Sequence, residues 1–168
     1  PTLVKNLENV TAISCGRFHL AAISNGQLYT FGYGEYGQLG HGNNNNLNVP
    51  TLVENLKNVS SVSCGGRHAA AISNGLLYTF GGGEFEQLGH RNNNNLNVPT
   101  LVKNLENVTS VSCGITHTAV ISNDKLYTFG NGDSGKLGHG NTKNSYIPEV
   151  IDNLKILTSV SCGYNHTA

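Results

Sequence analysis

Val10-Thr-Ala-Ile-Ser-Cys15 alternates without a cleanly polar side: Val10 and Ala12 fall on one face, Ile13 and Cys15 on the other. That pattern predicts a strand covered on both faces. Gly16 interrupts it, and His19-Leu-Ala-Ala-Ile-Ser24 predicts a second strand. Asn25-Gly26 follows, the strongest short hairpin signal, because a type I′ turn needs positive φ at both central residues. Gln27-Leu-Tyr-Thr-Phe31, rich in β-branched and aromatic residues, predicts a third strand. A glycine-dense loop, Gly32–Gly42, and a polar tract, Asn43–Asn46, come next. Pro50-Thr-Leu-Val53 is read as a fourth, outer strand, where proline loses no ladder donor. No stretch shows helical periodicity with caps.

The pattern then recurs with a constant step of 49 residues. Pro1, Pro50, Pro99 and Pro148 keep the step, as do Cys15, Cys64, Cys113 and Cys162, and His19, His68, His117 and His166. A period near 50 residues marks a repeat architecture. Four short strands per unit with glycine turns describe a blade, so the fold class is all-β, a β-propeller of four-stranded blades. The frames are 1–49, 50–98, 99–147 and a partial 148–168, all within one propeller domain. About 3.4 steps cannot close a ring and remove its sheet edges. The expectation is an incomplete ring, with an outer strand from Pro1, three full blades, and Val160–Ala168 starting a fourth. The remaining blades would come from the same longer chain.

The order S-C-G-x-x-H, S-N-G-x-L-Y-T-F-G, G-x-L-G-H-G and P-T-L-V resembles the repeat of the regulator-of-chromosome-condensation family. Ser14-Cys15-Gly16-Arg17-Phe18-His19 and Gln38-Leu39-Gly40-His41-Gly42 carry the resemblance at the family's spacing. It implies a seven-bladed propeller with the C-G-x-x-H region near the central axis. It also implies a function within a broad class: Ran exchange factor, ultraviolet photoreceptor, or a domain attached to ubiquitin ligases, kinases and ciliary proteins. The second copy departs with Glu86 and Arg91 where the first has Gly37 and Gly42, and the third has Lys136 for Gln38. Those departures put local turn geometry in question.

Composition narrows the class further. Charged residues make up 12% of the chain and the net charge is zero. That argues against direct nucleic-acid binding, which needs a basic surface, and against electrostatic membrane attachment. Apolar runs are far shorter than a membrane-spanning helix requires. The cysteines occupy equivalent sites one unit apart, so they are read as core thiols in a reducing, intracellular compartment, cytoplasmic rather than nuclear. The chain has no Trp, which removes the photoreceptor reading for this segment.

Several motifs mimic chemistry. Gly32-Tyr-Gly-Glu-Tyr-Gly37 and Gly130-Asn-Gly-Asp-Ser-Gly135 match a dinucleotide loop, but no helix follows to hold a pyrophosphate. Each blade offers one Cys and one His across a glycine break, unlike a zinc site with its local set of four ligands. These eight residues are read as structural, the histidines held by backbone hydrogen bonds. The N-x-S/T matches at Asn9, Asn58, Asn107 and Asn165 are read as chance within the repeat, and the Asn tract as a solvated loop. No cofactor, metal or catalytic residue is expected.

Lys5 and Glu8 become Glu54 and Lys57, then Lys103 and Glu106, then Asp152 and Lys155. This alternation predicts a rim of exposed inter-blade ion pairs, each worth at most about 1 kcal/mol.

Function is expected where the copies disagree. One such set is Arg17-Phe18, Gly66-Arg67, Ile115-Thr116 and Tyr164-Asn165, between the first two strands. The other lies in the glycine loop: Tyr33, Glu35, Tyr36, Glu84, Phe85 and Asp133. Arg, Phe and Tyr are favoured at interface hot spots. The reading is a protein-interaction scaffold whose loops, Arg17, Phe18, Arg67, Thr116, Tyr164 and Asn165 among them, contact another protein. The alternative is a guanine-nucleotide exchange factor for a Ran-like small GTPase. In the resemblance, exchange uses a wedge-like insertion, and the constant 49-residue step leaves none in this segment.

Overall fold

A computed structural model of the chain describes residues 3–5, 7–152, 154 and 157–168. Three antiparallel four-stranded meanders follow one another. Blade 1 is β1 (Val10–Cys15), β2 (His19–Ser24), β3 (Gln27–Gly32) and β4 (Leu47–Leu52). Blade 2 is β5 (Val59–Cys64), β6 (His68–Ser73), β7 (Leu76–Gly81) and β8 (Leu96–Leu101). Blade 3 is β9 (Val108–Cys113), β10 (His117–Ser122), β11 (Lys125–Gly130) and β12 (Ser145–Ile151). A single bridge, Cys162 to Thr167, begins a fourth unit. The outer strand expected from Pro1 rests partly on Pro1, Thr2 and Asn6, outside the described residues, and Leu3 and Val4 carry no strand.

The Asn-Gly turns form as read, with Asn25 at φ 51° and Gly26 at φ 71°. The fourth strand begins three residues earlier than expected, at Leu47, so Pro50 lies inside it. It is tolerated there because β4 is the outer edge and its register with β3 slips between Thr30 and Gly32.

Alternation explains how blades stack. In β6 all six residues are buried. Ala69 and Ala71 pack with Ile23, Leu28 and Val53 of blade 1, while Ala70 and Ile72 pack with Val111, Val120 and Phe129 of blade 3. Period-two side-chain direction thus assigns neighbouring residues to opposite blades. Phe80 and Phe129 are fully buried between blades, and truncating either to Ala should cost about 3–5 kcal/mol. Among the described residues no sheet packs against the outward face of blade 1. Ile13 is 67% exposed there and Cys15 is exposed, whereas the equivalent Cys64 and Cys113 are buried. Among the described residues Cys15 is thus not buried as Cys64 and Cys113 are.

The inner strands are stapled by serine. Ser14 Oγ accepts from the Cys64 amide at 2.9 Å, Ser63 from Cys113 at 2.9 Å, and Ser112 from Cys162 at 2.8 Å. Burial pushes the Cys64 thiol up to about 12 and raises those of Cys113 and Cys162. These are poor nucleophiles, because the thiolate is the reactive form.

Candidate functional site

A meander places its first and third connections at the same end. The β1–β2 loop and the long β3–β4 loop therefore emerge together in every blade, opposite the two-residue turns, Asn-Gly in blades 1 and 2 and Asn123-Asp124 in blade 3. A backbone hydrogen bond ties them: Tyr33 N to Phe18 O at 3.0 Å, Gly82 N to Arg67 O at 2.7 Å, Asn131 N to Thr116 O at 2.9 Å. Glycine precedes each donor because a Cβ at Gly32 would lie 2.8 Å from the Phe18 carbonyl, at φ 108°. The two variable sets singled out in the sequence thus form one surface.

On blades 1 and 2 this surface is a continuous stack. The Arg17 guanidinium lies 4.8 Å from the Phe18 ring centre. Phe18 meets Tyr33 at 5.9 Å, and Tyr33 meets Tyr36 at 6.1 Å, both tilted. Tyr36 lies under Arg67 of blade 2 at 4.4 Å, and Arg67 pairs with Glu84 at 3.0 Å. Tyr33 donates to Glu35 at 2.7 Å, and that hydrogen bond raises the phenol's pKa. Phe18 remains 48% exposed, Arg17 is exposed, and among the described residues Arg17 pairs with no carboxylate. Beside the stack, Arg17, Arg67, Glu84, Phe85, Ile115 and Thr116 line a cleft of about 200 Å³.

Blade 3 differs. Asn131 stands where Tyr33 does, and Asp133 is exposed in a short 3-10 turn, Asp133–Gly135. Lys136 donates to Asn131 and, at 3.3 Å, to Asn165. Burial lowers the Lys136 pKa, opposed by Asp133. Tyr164 is 62% exposed at the far side. Of the candidates, Tyr164, Asn165 and Asp133 stand apart from the stack.

His19, His68 and His117 are buried, the rings of His68 and His117 meet threonine side chains of the next blade, and His166 is exposed. His68 Nε2 lies 3.0 Å from Thr118 Oγ1, and His117 Nε2 lies 3.1 Å from Thr167 Oγ1, each on the next blade. Thr118 donates its own proton to Gln87 O at 2.8 Å, so His68 must donate from Nε2. At His19 the facing residue is Ala69, and neither ring nitrogen has a hydrogen-bond partner. Burial drives His19 down to about 4, His68 to about 3 and His117 to about 4. These rings are neutral near pH 7. Among the described residues no group of three or more His, Cys, Asp or Glu is placed to hold a metal ion.

Asn43–Asn46 are exposed, as a solvated loop should be, and their side chains also order it: Asn43 Oδ1 accepts from Asn45 N at 3.0 Å, and Asn46 Oδ1 from Gly34 N at 2.7 Å. Among the described residues the alternating charges form no inter-blade ion pair, because they sit exposed after the outer strands; Lys155 lies outside the described residues. Glu86 and Arg91 keep the turn they were expected to disturb, both at φ 63°.

The chain matches the family description "Regulator of chromosome condensation (RCC1) repeat" at residues 25–72, 74–121 and 123–168. It is 58% identical over 40 residues to the X-linked retinitis pigmentosa GTPase regulator homolog of Caenorhabditis elegans, covering 23% of this chain and 3% of that protein. It is 51% identical over 47 residues to the human E3 ubiquitin-protein ligase HERC2, covering 26% of this chain and 1% of that protein. Human WBSCR16 superposes with a TM-score of 0.85 at 26% identity, over 95% of this chain and 44% of that one. Prp20p of Saccharomyces cerevisiae, a structure described with its binding to Gsp1p and histones, gives 0.83 at 22% identity, over 96% and 43%. The chain thus spans less than half the length of the relatives it matches.

Proposed function

The chain belongs to the regulator of chromosome condensation (RCC1) repeat family, and on that premise we propose that it is the partner-binding part of a propeller scaffold. One observation carries the reading. Residues that break the repeat, Arg17, Phe18, Tyr33, Tyr36 and Arg67, join into a partly exposed arginine–aromatic stack across two blades. Drift at tolerant positions would scatter unrelated side chains. Here the departures of two loops and two blades touch one another.

The stack suits a protein partner. Aromatic and guanidinium groups offer large contact area with few rotatable bonds, the composition of interface hot spots. Arg17 is free to meet a partner carboxylate, and Arg67 is already oriented by Tyr36 and Glu84. The scaffold beneath is rigid, so little ordering cost falls on binding. The arginine and aromatic composition of the surface supports recognition of a protein partner.

Nucleotide exchange on a small GTPase is the alternative. The β3–β4 loops have the same length in all three blades, so none carries an inserted wedge. A nucleotide-release assay with a Ran-type GTPase separates the readings. The scaffold reading predicts release at the intrinsic rate, and accelerated release that Phe18→Ala or Arg67→Ala abolishes would replace it with exchange.

A further inference from the structure

The two gaps between neighbouring outer strands, β4/β8 and β8/β12, form grooves equivalent in fold but not in charge, and a third, one-sided cleft lies along β12. The first is lined by His41, Gly42, Glu54 and Pro99. The second, about 280 Å³, is lined by His90, Arg91, Lys103 and Pro148 at the same repeat positions. The third has His139, Glu149 and Asp152. The charge alternation along the chain, which forms no inter-blade ion pairs, therefore sets the sign of each groove. We infer that the groove between β8 and β12 is a docking site for a short acidic peptide segment of a protein partner.

The geometry favours that occupant. Among the described residues neither Arg91 nor Lys103 has a carboxylate within ion-pair reach, so both cations are free. Leu101, Ile147 and Pro148 supply an apolar wall for aliphatic side chains between the acidic ones. His90 adds no charge, because burial lowers its pKa and its Nε2 is held 2.8 Å from Thr79. The flanking grooves carry Glu54 on one side and Glu149 with Asp152 on the other. A long polyanion or an anionic membrane would meet those carboxylates, whereas a short segment fits between them. Arg91 also occupies a backbone position at φ 63° where the other copies carry Gly42 and Gly140. This site shares no residue with the arginine–aromatic stack, so its fate is independent of that reading.

The test uses the full-length chain and a fluorescein-labelled short peptide of glutamate and leucine, with its lysine–leucine counterpart as control. Anisotropy should show binding of the acidic peptide only, weakening with salt. The double variant Arg91→Gly/Lys103→Glu restores residues already present in the first groove, so the fold is preserved, and it should weaken binding by about tenfold or more. The reciprocal graft, Gly42→Arg/Glu54→Lys, should add a second equivalent site. Unchanged affinity in the first variant, or no added site in the second, overturns the inference. Binding of inorganic phosphate or phosphatidylserine vesicles without the peptide overturns it too.

Discussion

The imidazole Nε2 of His68 donates to the Thr118 hydroxyl of the next blade across 3.0 Å, and the Thr118 hydroxyl in turn donates a hydrogen bond to the Gln87 carbonyl. Two blades are thereby joined through one buried hydroxyl. His117 and Thr167 repeat the arrangement. His19 faces Ala69 instead, and its ring nitrogens go unsatisfied. Ala69→Thr should therefore stabilise the protein by about 1 kcal/mol, read as a higher urea midpoint. Thr118→Ala should destabilise it by about 1–3 kcal/mol, because it orphans both His68 and the Gln87 carbonyl.

Stability should fall in mild acid. His19, His68 and His117 have folded pKa values of about 4, 3 and 4, below the unfolded 6.5. The unfolded chain binds more protons in that window, so stability is full above pH 6.5 and is lost as pH falls toward 4. The loss from His19 and His68 together is on the order of a few kcal/mol. Urea midpoints between pH 7.5 and 4.5 check this, and His68→Gln should flatten the slope.

Glu86 and Arg91 sit at φ 63°, where the other copies place glycine. A non-glycine residue there costs roughly 1–2 kcal/mol. Glu86→Gly should raise stability by about 1 kcal/mol, since it also removes a buried carboxylate oxygen with no partner. Thermal melts measure the shift.

Within the Asn tract, Asn46→Ala should cost about 1 kcal/mol, because Gly34 N loses its acceptor. Asn44→Ala should fall within about 0.5 kcal/mol of no effect. Chemical unfolding of the two variants side by side shows whether these side chains order the solvated loop.

The asparagine pattern is legible in the sequence. The third copy drifts to Thr142 and Lys143 in the middle but keeps Asn141 and Asn144, the two whose side chains accept from the loop backbone. The strands of the first three positions in each blade, and the Asn-Gly turns, follow from local pattern alone. The start of β4 did not, because Leu47–Val49 directly follows the Asn tract and its strand character depends on pairing with β3. The His68–Thr118 contact spans 50 residues and two blades, so nothing local announces it. Along the sequence the variable loops are separate sets. Only the meander shows that Phe18, Tyr33 and Arg67 share one end.

The central claim, that the arginine–aromatic end binds the partner, is tested most directly by site-specific photo-crosslinking in the full-length protein. One crosslinker replaces Phe18, and a second replaces Asn74 at the opposite end, in the exposed Asn-Gly turn of blade 2. The account predicts one defined protein adduct from position 18, none from position 74, and loss of the adduct when Tyr36→Ala and Arg67→Ala are added. Equal adducts from both ends, or an adduct from position 18 that survives those two substitutions, would contradict it.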